Sequence, residues 1–172
     1  MTLLETMIAL AILLVVAAGV MGLAGVAVST TETQGHLAAR TAEYAQDKME
    51  QLLALKFCDG TTDTTVFPAV VNANGTGLAN CTNLTAPTPT ASAGGGLSTT
   101  APTKGYVDYL DASGNLVAST AAWEYVRVWQ ITVPAGSVGL KQITVLAQAN
   151  HSIGGNAVVP QATVVALKTF PF

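Results

Sequence analysis

The side chains able to carry chemistry are few, and they are spread thinly along 172 residues. The two histidines, His36 and His151, stand in unlike contexts, and neither is flanked by the serine, cysteine and carboxylate constellation that would activate a nucleophile. His36 lies four residues before Arg40, and two potential cations at that spacing neither support each other nor form a metal pair. Asp108, Asp111 and Asn115 could offer oxygens to calcium, but turn chemistry around the stretch Asp-Ala-Ser-Gly-Asn at 111–115 already explains them, and a hard cation wants six or more ligands. The expectation is no catalytic residue, no metal site and no cofactor, hence no enzyme. Along the first 57 residues only Tyr44 and Phe57 are aromatic, which leaves gaps in any relay of stacked rings.

Cys58 and Cys81 are the only cysteines and no histidine clusters near them, so a disulfide is favoured over a metal site, and with it an oxidising compartment. Asn74, Asn80 and Asn83 each begin an Asn-x-Thr triplet, and Thr88 and Thr90 lie in the uncharged run TAPTPTASAGGGLSTTAPT at 85–103. That composition suits an O-glycosylated stretch, but it equally describes a plain flexible surface loop, and the plain loop is the favoured reading.

The remaining chemical oddity is Glu5. It is the only charged side chain before Glu32, and the 26 residues from Thr6 to Thr31 carry no formal charge. About 20 apolar residues suffice for a helix to cross a bilayer, so the segment 1–28 can span one. A secretory signal peptide opens with basic residues and has a shorter apolar core. Here no Lys or Arg precedes Arg40, which favours a retained anchor. An ionised carboxylate at the edge of an apolar span is costly without a cation or donor. The nearest available cation is an α-amino group, its own or that of a neighbouring copy, and the second option implies assembly.

The run MTLLETMIALAILLVV resembles the mature amino-terminus of a type IV pilin or type II secretion pseudopilin, through Thr2, Leu3 and Glu5 followed by an unbroken apolar helix. In that family a peptidase removes a short basic leader, the new first residue is N-methylated, and the glutamate at position five pairs with a neighbour's amino-terminus. Met1 and Glu5 match those roles. Met1 stands where the family usually has Phe, and Gly22 where many members have a helix-breaking Pro. The resemblance implies a homo-oligomeric helical filament, other pilin-like subunits and inner-membrane assembly machinery as partners, and residence in the bacterial inner membrane before extracellular assembly.

The chain divides into a long helix over 1–57 and a β-rich head over 58–172. Gly19, Gly22 and Gly25 recur at three-residue spacing, which either lets neighbouring helices approach closely or weakens the helix locally, each Gly costing about 1 kcal/mol relative to Ala. Over 29–57 Ala38, Ala42, Ala45, Met49 and Leu52 form one mild apolar face, and no breaker occurs before Cys58-Asp59-Gly60. At 1.5 Å per residue such a helix runs on the order of 80 Å, so half of it should project from any small head.

From Gly60 to Pro102 periodicity is absent. YVDYL at 106–110, the turn at 111–115 and LVAS at 116–119 predict a hairpin; WEYVRVWQITV at 123–133 and 141–149 alternate as half-buried strands. Arg127 interrupts an apolar face, so its head should reach an edge, to Glu124 or another carboxylate. The strand at 162–170 alternates less cleanly and should be covered on both sides. One helix followed by strands argues for an α+β unit, with the amphipathic half-helix covering an antiparallel sheet. With 10% charged residues and a net charge of −3 there is no basic surface for nucleic acid. The expected function is a structural subunit of a pilus-like filament, with a minor pilin or pseudopilin, or a membrane-tethered binding domain, as the alternatives.

Overall fold

The computed structural model describes residues 2–66, 70–71, 81–82, 90–91, 93–151 and 159–170. It is an α+β structure: one helix, α1 (Leu3–Ala54), is followed entirely by strands. The chain forms two compact units, Met1–His36 and Leu37–Phe172, and α1 contributes to both.

In the first unit α1 is helical without interruption through Gly19, Gly22 and Gly25. A Cβ built on any of the three meets nothing within 4 Å, so no packing among the described residues requires glycine there.

In the second unit α1 buries Thr41, Tyr44, Ala45, Lys48, Met49, Gln51 and Leu52. This stripe is rotated from the alanine-based face read in the sequence: Ala38 is exposed and Ala42 half-buried, whereas Thr41 and Lys48 are fully buried. The reason is chemical. The head supplies partners for a buried lysine, so the helix keeps Ala45, Met49 and Leu52 of the expected face inside, turns Lys48 inward beside them and leaves Ala38, which gains little from burial, outside. Leu52, fully buried, gains about 1.5–3 kcal/mol.

The helix ends at Ala54 rather than Phe57. Its last turn contains no basic residue; the cation that meets its free carbonyls comes from the last strand, as described below.

The strands are β1 (Thr62–Asp63), β2 (Val70–Val71), β3 (Cys81–Thr82), β4 (Thr90–Ala91), β5 (Gly94–Gly95), β6 (Val107–Leu110), β7 (Leu116–Val117), β8 (Tyr125–Thr132), β9 (Leu140–Ala149) and β10 (Gln161–Thr169). Among the described residues a six-stranded antiparallel sheet has the order β10-β9-β8-β6-β7, and β5 joins β8 beyond the end of β6. The pairs β1–β2 and β3–β4 form separate two-stranded ladders.

Alternation places Tyr125, Arg127, Trp129 and Ile131 of β8 beside Lys141, Ile143, Val145, Ala147 and Ala149 of β9 on one buried face. Tyr44, Ala45, Met49 and Leu52 of α1 join the same core, with Trp129 fully buried at its centre.

The predicted hairpin is present as β6 and β7, closed by Asp111, whose carboxylate accepts from the backbone N–H groups of Ser113 and Asn115. Gly114 takes a positive φ of 85° there, and a Cβ at this position would lie 2.9 Å from the Tyr44 ring.

Two strand expectations need correction. β10 is not covered on both faces: Val165 and Leu167 are 55% and 61% exposed, because β10 is the sheet's edge and only its Ala162, Val164 and Ala166 side packs on the core. β5 lies in a stretch without periodicity and is two glycines, whose missing side chains leave room for the Tyr106 ring.

Candidate functional site

Two places concentrate function-bearing residues, one in each unit. In the first unit Leu3 begins α1, so Thr2 occupies the position before the first helical turn, and its carbonyl accepts from the N–H groups of Glu5 (3.0 Å) and Thr6 (3.3 Å). Thr2 and Glu5 thereby stand at the spacing of a capping box, a local signal the assembly reading passed over. Glu5 lies in the positive end of the helix dipole, and among the described residues no cation pairs with its exposed carboxylate. Met1 falls outside the described residues.

Past Glu5 and Thr6 the helix surface is apolar and exposed as far as Val28. Leu3 and Leu23 are 79% and 76% exposed, and Ile8, Leu14 and Val28 are likewise open. The helix is long and apolar enough to cross a membrane, with a mean hydropathy of 2.7 in its most apolar window. By length and composition it fits a membrane anchor or a signal sequence.

The second site is the buried charge cluster between α1 and the sheet. Asp108 on β6 receives Arg127 from β8 through two bonds, Nε to Oδ1 at 2.7 Å and Nη2 to Oδ2 at 2.9 Å. Lys48 of α1 completes it, its Nζ 2.5 Å from Asp108 Oδ2, donating also to the Thr64 carbonyl and lying 4.6 Å from the Trp129 ring centroid. Arg127 Nη1 donates to the Tyr44 carbonyl at 3.3 Å. Burial is the larger influence on Lys48 and pulls its pKa down to about 8, against the raising effect of Asp108. Arg127 thus reaches a carboxylate other than Glu124, and in the sheet's interior rather than at its edge. Glu124 instead pairs with exposed His151 at 3.0 Å.

The calcium candidates of the sequence face different ways. Asp108 is turned into the core against two cations, while Asp111 turns back on its own loop, its Oδ2 accepting from Asn115 Nδ2 at 3.0 Å. The three residues do not converge. His36 is exposed on α1.

At the end of α1 a second lysine set gathers. Lys168 of β10 donates to the carbonyls of Leu52 (3.1 Å), Leu53 (3.0 Å) and Leu55, supplying the positive charge that the helix's own last turn lacks. Lys141 of β9 donates to the Phe57 carbonyl at 2.5 Å and approaches Cys81 Sγ at 3.4 Å. Cys58 and Cys81 are joined in a disulfide, as their number and context imply, with Cα atoms 5.3 Å apart. Thr90 is half-buried in β4, beside the β3 strand that carries Cys81; Asn74, Asn80, Asn83 and Thr88 lie outside the described residues.

Sequence reasoning missed the roles of Lys48, Asp108, Lys141 and Lys168. The one available signal was that each of these charged side chains sits at an inward register of an alternating strand or helix. No protein-family model, curated protein or solved structure matches this chain.

Proposed function

We propose that this chain is a structural subunit of a type IV pilus-like extracellular filament, anchored in the bacterial inner membrane by the apolar part of α1 before it assembles. The observation that carries the reading is the exposure of the whole apolar surface of that segment, from Leu3 at 79% to Val28 at 65%. A continuous apolar surface of this length has to be buried, and lipid or identical helices of neighbouring copies are the two environments that bury all sides of a helix. Passing from the first to the second is what converts a membrane protein into a filament core.

Glu5 supports the same reading. Its carboxylate is the one charge in an otherwise neutral first turn, at the end of the helix where a neighbour's amino group can meet it. Satisfying both charges only at one axial offset makes the pair a register device. The β-rich head, clamped to the second part of α1, is then the outward-facing portion.

Shearing filaments from cells that express the chain and identifying their subunits tests the proposal. Long fibres built of this chain are expected. Fibres in which it is a trace component beside other pilin-like chains would reassign it as a minor pilin or pseudopilin, and a lone detergent-soluble monomer would contradict filament assembly.

A further inference from the structure

The environment of the disulfide is electrically lopsided. Lys141 is fully buried, its Nζ lies 3.4 Å from Cys81 Sγ and 4.2 Å from the Phe57 ring centroid, and its one oxygen partner is the Phe57 carbonyl. Among the described residues no carboxylate pairs with it, and the charge nearest it in effect is another cation, Lys168. A buried ammonium without an anion is unfavourable; Lys48, by contrast, has Asp108.

The lysine contact falls on Cys81 Sγ. Cys58 is followed directly by Asp59, whose carboxylate is fixed by the N–H groups of Thr61 and Thr62. Cys58 and Cys81 are half-buried residues, whereas Lys141 is fully buried.

We propose that Cys58–Cys81 is a directional thiol–disulfide exchange site: an external thiolate bonds to Cys58 Sγ, and Cys81 Sγ leaves as a thiolate paired with the Lys141 ammonium. The electrons balance without any further reactant. The new S–S bond forms on Cys58 as the old one breaks, the bonding pair departs on Cys81, and no proton needs to move, because the leaving sulfur is met by a positive charge already in place. Exchange rates rise as the leaving thiol becomes more acidic, and an adjacent ammonium makes a thiol more acidic. The reverse step has the same polarity: a thiolate at Cys81 attacks a mixed disulfide held on Cys58 and expels the partner, which completes bond formation. The chemical class of partner is therefore a thiol or dithiol, including a dithiol oxidoreductase, that docks covalently at Cys58.

The test uses the folded full chain in detergent, incubated briefly with reduced glutathione, quenched with acid, alkylated and mapped by peptide mass. Glutathione is expected on Cys58 and the alkyl group on Cys81, with a preference of about tenfold. In Lys141→Met the preference should fall to near unity, and in Lys141→Arg it should return. The wild-type chain in concentrated guanidinium should also lose the preference, since Lys141 is 60 residues from Cys81 in sequence. Equal labelling of the two cysteines in the folded wild-type protein, glutathione chiefly on Cys81, or a preference that survives in guanidinium would overturn the proposal.

Discussion

Asp108 and Arg127 are register partners across β6 and β8, and the guanidinium grips the carboxylate through two bonds of 2.7 and 2.9 Å while Lys48 reaches the same carboxylate from the helix. Two cations thus share one anion in the core. Their energetic roles are unequal, because Asp108 keeps a complete bidentate partner if Lys48 is removed, whereas both cations lose their closest anion if Asp108 is removed.

Asp108→Ala should therefore lower stability by about 3–5 kcal/mol, the usual cost of stranding a buried charge, while Lys48→Met should change it by no more than about 1 kcal/mol in either direction. Urea denaturation of the two variants beside the wild type checks the contrast. Equal losses would mean that the lysine, not the arginine, holds Asp108.

The pH dependence follows from the same burial. Lys48 and Lys141 are each held at about 8, below the 10.5 of a free lysine, Lys48 chiefly by desolvation and Lys141 by desolvation and then by Lys168. Between about pH 8 and 10 the unfolded chain binds more protons than the folded one, so stability should rise with pH across that window and show no lysine contribution below it. Above about pH 10 the half-buried Tyr106 and the buried Tyr125, whose phenols desolvation pushes up from 10.0, oppose the rise. Denaturant midpoints at pH 7.5, 8.5 and 9.5 should increase in that order, and Lys48→Met should flatten the trend. A midpoint falling steadily over the range contradicts this assignment.

Lys168→Met should destabilise the end of α1 by about 1 kcal/mol, since it withdraws one cation from the three carbonyls of Leu52, Leu53 and Leu55. Hydrogen exchange is the sensitive readout. Amides of residues 51–54 should exchange faster, while those of Val126 and Val145 at the sheet's centre should not.

The long helix, the hairpin and two of the three long strands were legible because each carries a clean local signal: apolar continuity over 3–28, alternation in 125–132 and 140–149, and turn chemistry at 111–115. The disulfide was legible from there being just two cysteines. The buried lysines were not, since composition rules place Lys outside, and only the register that brings Asp108 opposite Arg127, beneath Lys48, makes an inward lysine tolerable. The open face of β10 was hidden for a related reason: Val165 and Leu167 read as core, but a strand's position at a sheet edge is a property of topology rather than of its own residues.

The central claim is that copies of this chain assemble through α1 with Glu5 setting the register. Its most direct measurement is a count of filaments, by electron microscopy, on cells whose sole subunit of this kind is the Glu5→Ala chain. The uncharged stretch 6–31 is untouched, so the variant should still enter the membrane and its head should still form the Cys58–Cys81 bond. Few or no filaments are expected from this membrane-inserted, disulfide-bonded protein. Filaments of wild-type number and length would contradict it, leaving Glu5 as a partner of Thr2 at the start of the helix and nothing more.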